Sequence, residues 1–307
     1  MRHFYCNDNG YVESDEWLPD CWVNIVSPSE DDIRFITETL SVPAEFLDDL
    51  DDIDERPRIE EAGGYLLTIL RVPVRDTSGA MPYTTVPIGI ITGENIIITI
   101  GYHHTEIIPD FIEHTRRRGI AINCREDFIL RILFSATYWY LRYLKSMSLD
   151  VTLAERKLEK SVRNNDLISL MKLQKSLVYF NTSLHGNESL LDRLRHVFGD
   201  QYDSDLFEDL EIEIRQADNT VTVYSEILSG TLDAFASVIS NNVNQIMKRM
   251  TSISIILMVP TLIASFYGMN VLDIAFANIP GAFLIVVCGA FLLAIATYLL
   301  LRKIRWF

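Results

Sequence analysis

The clearest pattern in the chain is an uninterrupted apolar run near its end. Gly281 to Leu301 (GAFLIVVCGAFLLAIATYLLL) is 21 residues without a charge. At 1.5 Å per residue that spans roughly 30 Å of hydrocarbon, so it predicts a transmembrane helix. A second run, Ile253 to Tyr267, is shorter, but it is uncharged from Met250 onward and has Lys248 and Arg249 on its flank. Its position just before the first run predicts a second span. Upstream, no proline interrupts the sequence between Ser204 and Pro260, and Gly230 is the only glycine before Gly268. One continuous helix over 204–267 would be roughly 95 Å long. Phe128, Ile132, Leu133, Tyr140, Leu144 and Leu149 recur at helical spacing, and Leu167 to Val197 reads as a further helix, broken at His185-Gly186-Asn187.

Before Arg125 the pattern is mixed. Tyr65 to Val72 and Val86 to Ile100 are β-rich, with Gly93-Glu94-Asn95 as a hairpin turn. Asp31 to Leu40 and Pro43 to Asp51 read as short helices, the first capped by Ser29-Glu30. The fold class is thus an α+β domain, then long helices and a two-helix transmembrane hairpin. The expected segments are 1–125 (α/β domain), 126–203 (helices), 204–267 (long helix with the first span), 268–280 (connection), 281–301 (second span) and 302–307 (basic tail).

Charge refines this picture. The 307 residues hold 27 Lys and Arg against 42 Asp and Glu, a net −15. From Asn244 onward the balance is +4, so the preceding 243 residues carry −19. Such a chain lacks the basic face of a general nucleic-acid binder. A mean hydropathy of +0.14, concentrated at the C-terminal end, argues against a fully soluble protein and for a lipid bilayer as partner. Lys248 and Arg249 precede the first span, Arg302, Lys303 and Arg305 follow the second, and the connection Gly268 to Pro280 has neither Lys nor Arg. By the positive-inside rule both termini face the cytoplasm of a cell membrane. Cys6, Cys21, Cys124 and Cys288 are far apart, with none of the dense spacing of a disulfide framework or zinc site, which reads as a reducing compartment. The nine carboxylates of Glu45 to Glu61 suit a hard divalent cation or simply solvate the surface, and their spacing is not an EF-hand loop. His103-His104 reads as strand-end surface. No phosphate loop, nucleophile elbow or triad spacing occurs, so nothing indicates an enzyme or an organic cofactor.

The most informative chemistry lies along the long helix. Steps of 4, 3, 4, 3 from Asp233 give Ser237, Ser240, Asn244, Met247, Thr251, Ser254, Met258, Thr261 and Ser265. Eight of these ten positions are polar, and they share one face of a slightly supercoiled helix. Small hydroxylated residues also serve helix packing, and their hydroxyls can bond their own backbone. A stripe this continuous at bilayer depth instead indicates a water-filled path. Two spans cannot enclose one, whereas several copies around an axis can.

The stripe ends at Tyr267-Gly268-Met269-Asn270. This tetrapeptide, one short loop before the last span and a basic tail, resembles the signature of the CorA family of divalent-cation channels. Asp48 to Arg71, with its acidic stretch and Arg56-Pro57-Arg58-x-Glu60, is similar to the family's acidic motif and following strand. Ser240 to Thr251 (SNNVNQIMKRMT) and Arg302 to Phe307 (RKIRWF) resemble its pore-helix start and its basic-aromatic end.

The resemblance implies a funnel-shaped homopentamer whose first spans line a pore for Mg²⁺, with Co²⁺ and Ni²⁺ also passing. It implies Asn270 as the outer ring, with Gly268 and Met269 beside it. Ser265, Thr261 and Asn244 would follow as polar rings, Met258 and Met247 as hydrophobic collars, and Asp233 would lie below them. It further implies a regulatory Mg²⁺ between subunits at Asp49, with Asp48 beside it, and Asp209. Two departures stand out: Phe134 to Tyr140 (FSATYWY) carries no acid, and the outer loop holds only Asp273. Two alternatives remain at this point: a Zn²⁺ or broad transition-metal carrier of the same family, and a membrane-anchored interaction or sensor protein.

Overall fold

A seven-stranded sheet organises the first part of the chain. The structure is a computed structural model that describes residues 1–7, 10–76, 81–122, 124–160, 164–199, 201–269 and 280–304. The strands are β1 (Arg2–Asn7), β2 (Tyr11–Ser14), β3 (Trp22–Val26), β4 (Arg58–Ala62), β5 (Tyr65–Arg75), β6 (Tyr83–Thr92) and β7 (Ile97–Gly101), and their order is β2-β1-β3-β7-β6-β5-β4. All pairings are antiparallel except β3 with β7. The expected hairpin joins β6 to β7, and Gly93 N donates to the Ile96 carbonyl across its turn. Strands β1 to β3 escape the sequence pattern because they are short, with 6, 4 and 5 residues.

Alternation along the strands builds two cores. Val23, Ile25, Leu67, Ile69, Ile91 and Ile98 pack with Ile36, Leu40, Phe46 and Leu50 from the connection before β4. The neighbouring residue Trp22 instead meets Tyr11, Phe111 and Phe128, with ring centroids 4.9 to 5.9 Å away. Its indole Nε1 donates to Thr99 Oγ1 at 2.8 Å, and that hydroxyl donates to Asn24 Oδ1 at 2.9 Å, so the buried polar atoms satisfy one another.

The described residues also form the α-helices α1 (Glu30–Arg34), α2 (Ile107–Arg118), α3 (Arg125–Lys160), α4 (Asn164–Phe198), α5 (Ser204–Tyr267) and α6 (Ala282–Lys303). A capping box of Ser29 with Asp32 opens α1, which continues as a π-helical turn, Phe35–Thr39. The helix expected over Pro43–Asp51 shrinks to a single 3-10 turn, Ala44–Phe46. Asp48, Asp51 and Asp52 would repel at i, i+3 and i, i+4 spacing on a helix, while Phe46, Leu47 and Leu50 are held in the core.

Two sequence expectations need correction. Helix α4 does not break at Gly186. A Cβ there would come within 2.9 Å of the Pro57 ring, so the glycine admits a neighbouring segment. Next to it, buried Asn187 donates to the Arg71 carbonyl at 2.7 Å and accepts from the Arg71 N–H at 3.0 Å, replacing a strand partner beyond the end of β4. The cysteines also differ from expectation. Cys6 and Cys21 form a disulfide, one step beyond the Tyr5–Trp22 pair of β1 and β3, with Cα atoms 4.5 Å apart. Strand pairing, which spacing along the chain does not reveal, brings them together. Cys124 and Cys288 are free.

The chain divides into two units, Met1–Leu232 and Asp233–Phe307, and the division falls inside α5. In the second unit, α5 and α6 are both long and apolar enough to cross a membrane.

The Asn187 clasp yields a stability test. Asn187→Ala leaves a buried N–H and a buried carbonyl unsatisfied and should cost on the order of 3 kcal/mol. Denaturant unfolding, with β5 followed by hydrogen exchange, checks this; an unchanged midpoint would mean that the bonds contribute nothing.

Candidate ion-conducting face and acidic segment

The polar face of α5 lies within the second unit, and its ten positions share one property. Asp233, Ser237, Ser240, Asn244, Met247, Thr251, Ser254, Met258, Thr261 and Ser265 are all exposed. Across the apolar stretch, Ser252 is buried, and Ile255, Ile256, Val259, Pro260 and Ile263 are half-buried. At 100° per residue, these two faces are separated by roughly 150° around the helix. The buried residues of α6 are Ala290 and Ala294, a small-residue pair at i, i+4 spacing. The chain leaves this polar face uncovered, together with the apolar Ile253, Leu257, Leu262 and Phe266, and of these surfaces the polar one is the one hydrocarbon would least tolerate.

The hydroxyls of this face have a defined polarity. Ser237 donates to the Asp233 carbonyl, Ser254 to Met250 and Thr261 to Leu257, at 2.8 to 3.0 Å. With its hydrogen used on the backbone, each hydroxyl turns acceptor lone pairs outward. Met247 and Met258, 58% and 64% exposed, interrupt the polar series with flexible apolar side chains. At the helix end, Gly268 N donates to the Ala264 and Ser265 carbonyls at 3.0 and 3.2 Å. A Cβ on Gly268 would stand 3.4 Å from the first of those oxygens. Met269 N donates to the Phe266 carbonyl, which closes the last turn. Asn270, Asp273 and Arg305 to Phe307 lie outside the described residues.

The acidic segment belongs to the first unit, where Arg71 anchors it. Arg71 sits in the apolar strand β5 and is buried. Its Nη1 donates to the Ile53 and Glu55 carbonyls at 2.8 and 2.7 Å, its Nη2 to the Thr85 carbonyl at 2.7 Å, and its Nε reaches the Thr85 and Ser183 hydroxyls. Burial lowers its pKa, and Tyr140, Asp54 and Asp52 pull in the opposite direction. The guanidinium thus ties the acidic segment to β5, β6 and α4 without a carboxylate of its own. A lone charge inside an apolar strand run, such as Arg71 in Tyr65 to Val72, is itself the signal of such an anchor.

Of the acids assigned to a regulatory cation, Asp49 is already engaged: Arg58 Nη2 lies 3.1 Å from its Oδ2. Arg58 also pairs with Glu55 and Glu60, closing a small charge network around the Arg-Pro-Arg motif. Asp48 is exposed and has no pairing partner among the described residues. The exposed Asp209 lies on α5 with neither Asp48 nor Asp49 beside it; it lines a groove with α2 and α3. No three His, Cys, Asp or Glu side chains among the described residues gather in a way that would hold a metal ion. The described residues of one chain do not bring Asp48, Asp49 and Asp209 into one metal-holding group.

These features meet in one known family. Residues 20–303 match the family described as CorA-like Mg²⁺ transporter protein. This chain belongs to the CorA family. It is 26% identical over 291 residues to the cobalt/magnesium transport protein CorA of Methanocaldococcus jannaschii, covering 93% of this chain and 90% of that protein. It is 24% identical over 255 residues to the cobalt/magnesium transport protein CorA of Thermotoga maritima, covering 81% and 72% of the two. Its fold superimposes on the complete structure of the CorA magnesium transporter from M. jannaschii with a TM-score of 0.86, at 24% identity, over 100% of this chain and 99% of that one. The chain is a CorA-family membrane transporter with an α+β N-terminal part, long helices and two candidate spans, and the family consists of transporters rather than enzymes.

Proposed function

We propose that this CorA-family chain forms a homopentameric channel that moves hydrated Mg²⁺, with Co²⁺ and Ni²⁺ as further cargo, into the cytoplasm. The observation that carries the reading is the polar face of α5, left uncovered along an apolar, membrane-length stretch. Copies arranged around an axis would turn those faces inward and bury the unfavourable surface against a water column. The relatives' names, cobalt/magnesium transport proteins, support the cargo.

The chemistry of the face suits a hydrated ion. Mg²⁺ dehydrates reluctantly, so a filter that stripped its waters would hold it too long. Coordinated waters donate hydrogen bonds, and hydroxyls already donating to their own helix offer acceptors. Asn270, with Gly268 and Met269, forms the outer ring; Ser265, Thr261 and Asn244 form successive acceptor rings. Met258 and Met247 are collars that block conduction by dewetting when narrow. Asp233 and the −19 charge of the preceding residues attract the emerging cation. The basic flanks Lys248-Arg249 and Arg302-Lys303 put both termini in the cytoplasm. Closure follows cytoplasmic Mg²⁺, held by Asp48 and Asp49 of one copy and Asp209 of another, where it would neutralise repelling carboxylates. Because Arg58 already occupies Asp49, the ion competes with a guanidinium there.

Asn270→Ala should abolish Mg²⁺ flux into liposomes while native mass spectrometry still reports pentamers. Near-normal flux from intact mutant pentamers would remove the filter assignment, and a conducting monomer or dimer would remove the oligomer. For closure, the double variant Asp49→Asn, Asp209→Asn should shift the inhibitory Mg²⁺ concentration upward by about tenfold. Superimposable titrations for wild type and variant would place regulation elsewhere.

A further inference from the structure

Cys6 and Cys21 form a disulfide in the unit that the proposed orientation places in the cytoplasm. Disulfides are rare there, and those that occur are mostly redox-sensing or catalytic. The surroundings of this one give access. It lies in the wall of a cavity of about 690 Å³ that also carries Cys124, Asp20, Glu94, Arg125 and Glu126. Cys21 is buried and Cys6 half-buried, so a nucleophile entering the cavity meets Cys6 Sγ. Disulfides that a thiolate can reach are the labile ones.

The free thiol on the same wall does not compete. Burial, with the carboxylates of Asp127 and Glu126 close by, pushes the Cys124 thiol up to about 11. It stays protonated at neutral pH and is a poor attacker, so the disulfide persists beside it without exchange.

The bond also closes a loop that grips two helices. Strands β1 and β3 pair at four positions, from Arg2–Ile25 to Tyr5–Trp22, and the disulfide lies just past the last. The chain that it closes contains β2. Asn7 Nδ2 donates to the Ile122 carbonyl at 2.8 Å, just before α3. Gly10 sits so close to the last turn of α2 that a Cβ on it would come within 2.6 Å of Arg116 Cα. The Tyr11 ring lies 6.0 Å from Phe111 of α2 and 6.0 Å from Phe128 of α3. A cross-link at the root of this loop limits the freedom it gains when these contacts open.

We infer that Cys6–Cys21 is a reversible redox-modification site, opened by a small uncharged dithiol in this cavity, and that opening it loosens β2, Asn7 and Gly10 from α2 and the start of α3. One thiolate of the dithiol attacks Cys6 Sγ. The Cys6–Cys21 bond breaks, and Cys21 leaves as a thiolate that takes a proton from water. The second thiol of the reductant loses its proton and displaces Cys6, which is protonated in turn. The protein gains two electrons and two protons, and the dithiol becomes a cyclic disulfide. Asp20, Glu94 and Glu126 outnumber Arg125 on the wall, so an uncharged reductant enters more readily than an anionic one. The inference rests on the proposed orientation only for where the reductant is met, and none of its readouts involves ion flux.

The test uses full-length wild-type protein in detergent, alkylated at lysis and followed by mass spectrometry. Dithiothreitol without denaturant should open Cys6–Cys21, and glutathione disulfide should close it again. Hydrogen exchange across β2 and the last turn of α2 should rise about tenfold on reduction and fall back on reoxidation. The double variant Cys6→Ser, Cys21→Ser should exchange like the reduced protein and ignore dithiothreitol, whereas Cys124→Ser should respond as wild type does. Uncharged 2-mercaptoethanol should outpace anionic 2-mercaptoethanesulfonate by about threefold more than it does on a free cystine peptide. Equal ratios would overturn the charge selection. A bond that resists dithiothreitol until the protein unfolds, or that opens with exchange unchanged, would make it an inert cross-link and overturn the switch. Four thiols at lysis that glutathione disulfide fails to join would overturn it as well.

Discussion

A membrane-length helix with one polar face is incomplete as a single chain. Along α5, ten positions from Asp233 to Ser265 stay uncovered, while burial falls on the side of Ser252, Ile256 and Val259. In water such a face would be ordinary. In hydrocarbon its polar atoms lose the partners that water supplies, and α6, the other candidate span among the described residues, is apolar. The chemistry this face offers follows from how its hydroxyls are already bonded.

The first unit, Met1–Leu232, depends on a second constraint, the placement of one buried cation. Arg71 accepts the cost of leaving water because backbone carbonyls and hydroxyls from three elements surround it. Neutral acceptors suffice to hold it, and Asp48, Asp51, Asp52 and Asp54 stay exposed at the surface. Had Arg71 paired with Asp52 or Asp54, part of that exposed charge would be neutralised internally. Tyr140, whose hydroxyl donates to the Arg71 carbonyl at 3.1 Å, and Asn187 lock the same residue's backbone, so the segment is mounted on rigid parts.

Much of this was legible in the residues. Gly281–Leu301 and the proline-free run from Ser204 announced two spans and one long helix, because length and apolarity are properties of contiguous sequence. The hairpin at Gly93 and the polar stripe were readable for the same reason, each being a local period. What stayed hidden depends on contacts between distant residues. Gly186-Asn187 looks like a helix break, and only the approach of Pro57 and Arg71 makes that pair necessary inside α4. Cys6 and Cys21 look unrelated until β1 and β3 pair. The Pro43–Asp51 helix fails because a tertiary core claims Phe46 and Leu50 while the acids repel.

The central claim is that the stripe on α5 faces water at bilayer depth. Single cysteines placed from Thr251 to Ser265 in a Cys288→Ser background, reconstituted in liposomes, can be probed with a membrane-impermeant thiol reagent. The account predicts reactivity that peaks at Thr251, Ser254, Met258, Thr261 and Ser265 and falls at Ser252, Ile256, Val259 and Ile263, with a period of about 3.5 residues. Uniform protection along the helix, or a peak on the Ser252–Val259 side, would contradict it.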